Sequence, residues 1–283
     1  MIVFKHINTS TFAYENYNDN IINDYYYYIV GIIIKILLKN TKTINVSLCC
    51  VLDGFIQIQI NWEHILVKQG GRSVENAPLG TTLDENGNAY HVRIVNYELL
   101  KKADIIIDYS IPNIHHVLTS GIEFSKKHIY ISPYYNFTIP SIINEPRTIS
   151  TLTTFINTEE PRRKYLLNKL GSNHLNVSNC FGKNLIECYC KTKILINIHQ
   201  TDHHQTFEEL RCLSALRCKC IVISEISPLS HLIPYNKFII WCSYDKIIDC
   251  VNSIISQYND IYWDELDLLD LDNKNMDTLE NVI

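Results

Sequence analysis

The 283-residue chain has ten cysteines but no C-x-x-C pair. Without that spacing the usual structural zinc sites have no anchor, and the cysteines lie instead within apolar, strand-like or helical runs. Reduced thiols in a cytosol-like compartment are therefore expected. No apolar run reaches the ~20 residues that a membrane helix needs. The richest, Tyr25 to Leu38, is interrupted by Lys35 and reads as a buried helix of a soluble domain. The start shows no basic n-region with a small-residue cleavage site, so no secretory leader is expected. There is no excess of basic charge either. A formal net charge of −5 argues against a protein that coats nucleic acid, while leaving room for a local basic pocket that takes a phosphorylated small molecule.

What is present is apolar and alternating. At 46% hydrophobic the chain can furnish two ordinary domains with a core each. Met1 to His6 is a short β-rich run. About Asp19 to Lys39 reads as a helix apolar on most faces, which requires cover on both sides. Ile44 to Leu52 is of buried-strand type, and Phe55 to Lys68 holds a strand or a helix–strand boundary. Gln69-Gly70-Gly71-Arg72 reads either as a plain tight turn or as a close backbone approach to a ligand, with Asn61, Glu63, His64 and Lys68 nearby. Val74 to Ala89 is a polar loop or hairpin. Asp104 to Tyr109 is a strand that ends in Asp108, Tyr109 and Ser110, with Pro112 and Asn113 opening a helix. Ser110 and Asn113 are either helix caps or acceptor-site groups at a strand's carboxyl end.

The boundary between domains is placed in the proline-containing, aperiodic segment Thr138 to Thr151, giving 1–147 and 148–258. From Asp264 the chain is an acidic tail, and 259–283 is expected to be able to pack back on the first domain. Its Asp270-Leu271-Asp272 has the look of a D-x-D metal motif but sits in a polar tail. In the second domain Thr151 to Ile156 is a strand, followed by acids and by Arg162-Arg163 at a helix start. Cations are mildly unfavourable there unless an anion is bound or Glu159 and Glu160 pair with them.

Lys193 to Glu225, KILINIHQTDHHQTFEELRCLSALRCKCIVISE, is the most concentrated polar chemistry on the chain. It reads as strand, loop, helix, strand, with Asn197, His199, Asp202, His203, His204 and Glu208 where ligands collect in a βαβ unit. His199 and His203 are four apart, but an H-E-x-x-H zinc site needs a helix and an intervening Glu. Histidines that face a diphosphate fit the loop better. Glu208 is either a helix-start charge or a carboxylate for two sugar hydroxyls. Arg211 either pairs with Glu208 or Glu209 or faces the same ligand.

LINIHQ, FEELRCLSAL and CIVISE resemble, in this order, segments of bacterial and giant-virus glycosyltransferases. Asn197, His199, Glu208, Arg211, Leu216 and Ile223-Ser224-Glu225 stand at the matching positions. FINTEEPRRKYLLNKL resembles the family's paired-arginine segment, with Arg162 and Arg163 in place, and INWEH, LVKQGGR and IIDYSIPNI resemble giant-virus members. The resemblance implies an α/β GT-B fold, two Rossmann-like domains facing a cleft. It implies transfer of a sugar from a nucleoside diphosphate donor, UDP- or GDP-linked, to a glycan or glycoprotein, with no obligatory metal. Donor contacts then fall to Arg162, Arg163, Asn197, His199, His203, His204, Glu208, Arg211 and Glu225. Acceptor contacts fall to Gly70, Gly71, Arg72, Tyr109, Ser110 and Asn113, and the base to Glu63, His64 or Asp108. A homodimer is compatible with it, and a virus-encoded member is expected in host cytoplasm or viral factory. The sequence departs from the family where the E-x7-E pattern falls, near Thr206 and Ser214, which leaves a catalytically inactive nucleotide-sugar or glycan-binding protein as the alternative. Arg217 and Lys219 occupy a turn where small residues or Gly are usual.

Overall fold

A computed structural model describes residues 1–16, 23–62, 66–68, 79–124, 127–134, 140–201, 204–258 and 269–283. The chain divides into two units, Met1–Asn136 with Leu269–Ile283, and Phe137–Leu268. The division falls before residue 147 because Arg147 is tied into the second sheet, bonding carbonyls of Tyr189, Thr192 and Cys218.

In the first unit the β-rich start folds back on itself. β1 (Ile2–Ile7) and β2 (Ser10–Glu15) pair antiparallel across a turn with Asn8 at φ 53°, a conformation Asn tolerates better than most residues. The sequence pattern marks no strand at β2. Helix α1 (Asn23–Lys39) then crosses to β3 (Asn45–Leu48), β4 (Ile56–Asn61) follows, and β5 (Leu66–Lys68), β6 (Gly80–Leu83) and β7 (Ala89–Val92) make a small antiparallel sheet. After α2 (Tyr97–Leu100) come β8 (Ile105–Asp108), α3 (Ile111–Thr119) and β9 (Lys127–Tyr130). The main sheet runs β1-β2-β3-β4-β8-β9, parallel from β2 onward. As its near-uniform apolarity requires, α1 buries Tyr25, Tyr26, Ile29, Ile32, Ile33 and Ile36.

In the second unit β10 (Ile149–Thr153), α4 (Pro161–Leu170), β11 (His174–Asn176), α5 (Gly182–Cys190), β12 (Thr192–Asn197), α6 (Glu209–Arg217), β13 (Ile221–Glu225), β14 (Ile239–Cys242) and α7 (Ile247–Ser256) alternate. All four strand pairs are parallel, in the order β11-β10-β12-β13-β14. Parallel strands covered on both faces account for the continuous apolar runs ILIN and IVIS. β11 falls in a segment, GSNHLNVSNC, that reads as loop because its polar side chains have partners on the sheet. His174 Nδ1 and Nε2 share hydrogen bonds with Thr151 and Thr153 Oγ1, both at 2.9 Å. The chain is thus α/β throughout, with a Rossmann-like, mostly parallel sheet in each unit.

The acidic tail is a helix, α8 (Leu269–Glu280), belonging to the first unit. Asn275 is buried, accepts from Ser132 N and Oγ at 2.9 and 3.1 Å, and donates to Tyr28 Oη at 2.9 Å. Asp272 accepts from Tyr28 at 2.6 Å and Asp270 pairs with Lys274, so the D-x-D carboxylates are engaged in packing rather than converging on an ion. Among the described residues no helix is long and apolar enough to cross a membrane.

A buried histidine and a half-buried one make the fold acid-sensitive. His116 on α3 is 1% exposed and neither ring nitrogen finds a partner. Burial, then the neighbouring His115, pushes its pKa down to about 4, against a weaker opposite pull from Asp84. Burial brings His174 down to about 4 as well. Both rings are neutral when folded and take up a proton near pH 6.5 when unfolded. Stability is therefore full above that value and is lost as pH falls from about 6.5 toward 4, by up to about 3 kcal/mol for His116. A His116→Leu variant should show a flatter fall of thermal midpoint over this window. Parallel curves for the two proteins would refute the assignment.

Candidate functional site

Numbered within the second unit, the strand order is 2-1-3-4-5, and the direction of winding reverses between β10 and β12. In doubly wound sheets the crevice beyond the carboxyl ends at that reversal is where ligands bind, because the flanking loops diverge to opposite faces. Among the described residues the first unit's parallel strands run in sequential order, with no such reversal. The segments that leave β10 and β12 are those that carry the paired arginines and the histidine loop.

The two arginines part company. Helix α4 begins at Pro161, with the Glu160 side chain accepting from the N–H groups of Arg162 and Arg163 at 3.0 and 3.2 Å. Glu159 pairs with Lys164 instead. Arg162 turns to the sheet's far side of the crevice. It meets Glu225 Oε1 at 2.6 Å, donates to the carbonyls of His199 and Thr201 at 3.2 and 3.4 Å, and lies under the Tyr244 ring at 4.2 Å. Tyr244 Oη closes the ring of contacts by donating to Arg162 O at 2.8 Å. Arg162 thereby acts as a brace for the loop after β12.

Arg163 is the opposite case. It is 5% exposed, packs on the Phe155 ring at 4.7 Å, and its buried Nε has no partner. It makes no ion pair among the described residues. Burial, then the nearby Arg211 cation, depresses its pKa to about 10, with Glu208 and Glu160 working in the other direction. A desolvated guanidinium beside a second one is costly unless an anion completes it.

Arg211 projects from the first turn of α6 and donates to Asn197 Oδ1 at 3.3 Å, while Asn197 Nδ2 donates to Ser224 Oγ at 3.0 Å. Glu208 stands at the N-cap of α6 without a capping hydrogen bond from its side chain. Its neighbour Glu209, which the sequence does not single out, is fully buried and accepts from Tyr235 Oη at 2.7 Å. Glu209 anchors the helix and leaves Glu208 to face Arg163 electrostatically.

His199 is 3% exposed, its Nε2 sharing a hydrogen bond with Ser227 Oγ at 2.9 Å and its Nδ1 lying 3.5 Å from Glu225 Oε2. Glu225 also accepts from His199 N at 3.0 Å. The ring is thus turned into the protein. His204 Nδ1 meets Thr201 Oγ1 at 2.7 Å, and Asp202 and His203 lie outside the described residues. Among the described residues no cluster of three or more His, Cys, Asp or Glu is arranged to hold a metal. Lys219 sits in the left-handed region at φ 61°, which is why a Gly is the easier residue at that turn.

In the first unit Asp108 is fully buried at the end of β8. It accepts from Asn61 Nδ2 at 2.8 Å, Ser110 N at 2.9 Å and Asn113 Nδ2 at 3.2 Å, and faces His128 Nε2 at 3.3 Å. So placed, it ties strands and helix together and is closed to an acceptor. Ser110 is the N-cap of α3 without a side-chain bond to the helix, and Ser110 Oγ and Asn113 Oδ1 are buried without partners. Tyr109 is buried. Glu63, His64, Gly70, Gly71 and Arg72 lie outside the described residues.

No protein-family model matches the chain. It is similar to two uncharacterised proteins of Acanthamoeba polyphaga mimivirus. One is 35% identical over 163 residues, 56% of this chain and 55% of the relative, and the other 28% identical over 165 residues, 54% and 52%. The chain thus spans about half the length of the curated relatives it matches. Among solved structures it is similar to a sucrose-phosphate synthase from Thermosynechococcus elongatus, with 11% identity, 81% and 64% coverage and a TM-score of 0.45. A glycosyltransferase from Rickettsia africae gives 15% identity, 95% and 78% coverage and 0.39. A spinosyn rhamnosyltransferase complexed with thymidine diphosphate gives 8%, 93% and 76%, and 0.32.

Proposed function

We propose that the chain is a glycosyltransferase of GT-B type that takes a nucleoside diphosphate sugar on its second unit and passes the sugar to a glycan or glycoprotein. The observation that carries this reading is Arg163, a buried cation without an ion-pair partner among the described residues, beside Arg211 in the segment that follows β10 at the reversal of strand order. A diphosphate supplies the charge that Arg163 and Arg211 lack, and two fixed guanidiniums can take the leaving-group role of a metal ion. Glu208 then accepts hydroxyls of the ribose or the sugar, and Arg162 with Glu225 holds the loop in shape. Acceptor binding is assigned to the first unit and to Gly70, Gly71 and Arg72 there, since Ser110 and Asn113 are as buried as Asp108. The base is left to Glu63 or His64.

Calorimetric titration with UDP, GDP and TDP in the presence of a chelator tests the donor half, and release of free nucleotide from a panel of their sugars tests transfer. Binding of at least one nucleotide without metal is expected. No binding of any of them at millimolar concentration would sink the proposal. A second reading, a binding protein without turnover, is favoured by one feature. Ser214, standing where many such enzymes have the second glutamate of E-x7-E, is buried and spends its hydroxyl on Leu210 O at 3.3 Å. Tight nucleotide binding with no release from any sugar would select that reading.

A further inference from the structure

The main sheet of the first unit ends at β1, which among the described residues has β2 on one side and no strand on the other. The register fixes which backbone groups point outward. Asn16 N donates to Met1 O at 2.8 Å, so Met1, Val3, Lys5 and Ile7 are the residues that bond to the β2 side. Thr11, the partner of His6, spends its N–H on Asn45 Oδ1 at 3.1 Å, on the side away from β1. The N–H and C=O groups of Ile2, Phe4 and His6 therefore line the open edge. Natural sheets protect such an edge with proline, a charge or a very short strand. The six-residue β1 has no proline, and its Lys5 is turned over the Tyr14 ring. On the opposite face Ile2 is 39% and Phe4 55% exposed.

Helix α1 runs beside this hairpin. Asn8 Nδ2 donates to the carbonyls of Leu37 and Leu38 at 3.5 and 3.3 Å, and Tyr27 Oη donates to Asn16 Oδ1 at 2.8 Å. The solvent side of α1 is divided. Tyr28 and Lys39 face α8, where they meet Asp272 at 2.6 Å and Glu280 at 3.9 Å. Away from α8, at helical spacing, lie Tyr27, Gly31, Ile34 and Leu38, with Tyr27 39% and Leu38 59% exposed. Glycine weakens a helix interior, and a Cβ at Gly31 would meet nothing within 4 Å. Packing among the described residues does not call for a glycine there, whereas close approach of a second helix does.

We infer that β1 pairs antiparallel with β1 of a second copy of this chain, about a two-fold axis that passes between the two Phe4 residues. The edge is complementary to itself in that register. Phe4 stands opposite Phe4 and Ile2 opposite His6, and each such pair can exchange two backbone hydrogen bonds. Lys5 of each copy stands opposite Val3 of the other, so no like charges are directly opposed. The axis is perpendicular to the sheet, which puts both copies of α1 on one face with their Tyr27–Leu38 rows turned toward each other. Covering these side chains buries on the order of 600 Å² per copy, somewhat below the ~800 Å² of a standard interface. Dissociation in the micromolar range is therefore expected.

Sedimentation equilibrium of the full chain from about 1 to about 200 µM tests this, with a single monomer–dimer equilibrium expected. Phe4→Lys sets two ammonium groups against each other across the axis and should raise the dissociation constant by about 100-fold or more. Because Phe4 is mostly exposed, that variant should keep the circular dichroism spectrum and the thermal midpoint of the dilute parent. Leu118→Lys, at a residue of α3 that is 68% exposed, should leave the dimer intact. Amide exchange followed by NMR on the parent reads the register directly and decides the matter even if Phe4→Lys fails to fold. Protection at Ile2, Phe4 and His6 should rise with protein concentration, while Val3 and Lys5, already bonded to β2, should not change. A monomer at every concentration would overturn the inference and leave the edge to some other protein's strand. So would open-ended growth of larger species, a dimer that survives Phe4→Lys, or protection that does not alternate along β1. None of these results bears on sugar transfer, which is tested on the second unit.

Discussion

Replacing Arg147 by alanine is expected to lower the thermal midpoint by roughly 10 °C, the largest stability effect of any single polar substitution proposed for the second unit. The guanidinium donates through Nη1 to the carbonyls of Tyr189, at 3.1 Å, and Thr192, and through Nη2 to Cys218 O at 2.8 Å. Tyr189 lies in the last turn of α5 and Cys218 is the residue after α6, so one cation serves the carboxyl ends of two helices, where the backbone dipoles favour positive charge. The truncation removes three charge-assisted bonds and leaves three carbonyls in a region packed with the buried sulfurs of Cys190, Cys218 and Cys220. Loss of about 3 kcal/mol or more follows. Arg147→Lys should recover only part of it, because an ammonium cannot span carbonyls on two helices as a planar fork does. Calorimetric unfolding of the three proteins decides the matter. A midpoint within about 2 °C of the parent for the alanine variant would show that water replaces the guanidinium at no cost.

Arg147 also marks where sequence reasoning stops. A lone arginine in an aperiodic, proline-flanked segment gives no signal of its own, because its partners are backbone carbonyls some forty to seventy residues away and carbonyls look alike in every sequence. The strands of the second unit are legible for the opposite reason. Buried parallel strands must be apolar throughout, and ILIN and IVIS announce themselves. β11 is hidden because its inward-facing residues are polar and satisfied by specific partners, as His174 is by two threonines, and α8 because a buried Asn275, held by Ser132, breaks the apolar row of Leu271 and Leu279. Periodicity of hydrophobic residues detects only faces that are buried against apolar surface. The site follows the same division. That Arg162, Arg163, Asn197, His199 and Arg211 converge near strand ends can be read from their positions in a βαβ pattern. Which arginine is braced by Glu225 and which is left uncompensated depends on side-chain direction at a helix start, and adjacent arginines are indistinguishable there. The buried Glu209 and the outward Glu208 pose the same problem one residue apart.

That distinction gives the sharpest expected result for the site. Arg163→Met is expected to leave the free protein as stable as the parent or more stable by about 1 kcal/mol, while weakening nucleoside diphosphate binding by about 100-fold. Methionine keeps the packing on Phe155 and removes a charge that burial and Arg211 already disfavour, as the pKa of about 10 reports. In the proposed complex the same charge would stand against phosphate oxygens, where a charge-assisted fork contributes on the order of 2–3 kcal/mol. Arg162→Met should behave in the reverse manner. It strands Glu225, 12% exposed and still bonded to His199 N, and releases the carbonyls of His199 and Thr201. A fall in stability of about 2–3 kcal/mol is expected, because removing one partner leaves the other charge partly buried and unpaired. Paired measurements of thermal midpoint and of UDP, GDP and TDP affinity on both variants separate the two roles. A stabilised Arg163→Met that binds nucleotide as well as the parent would mean that the unpaired cation serves some other anion. A destabilised one would mean that Arg163 is compensated within the fold, and the strongest support for a diphosphate at the β10–β12 crevice would be gone.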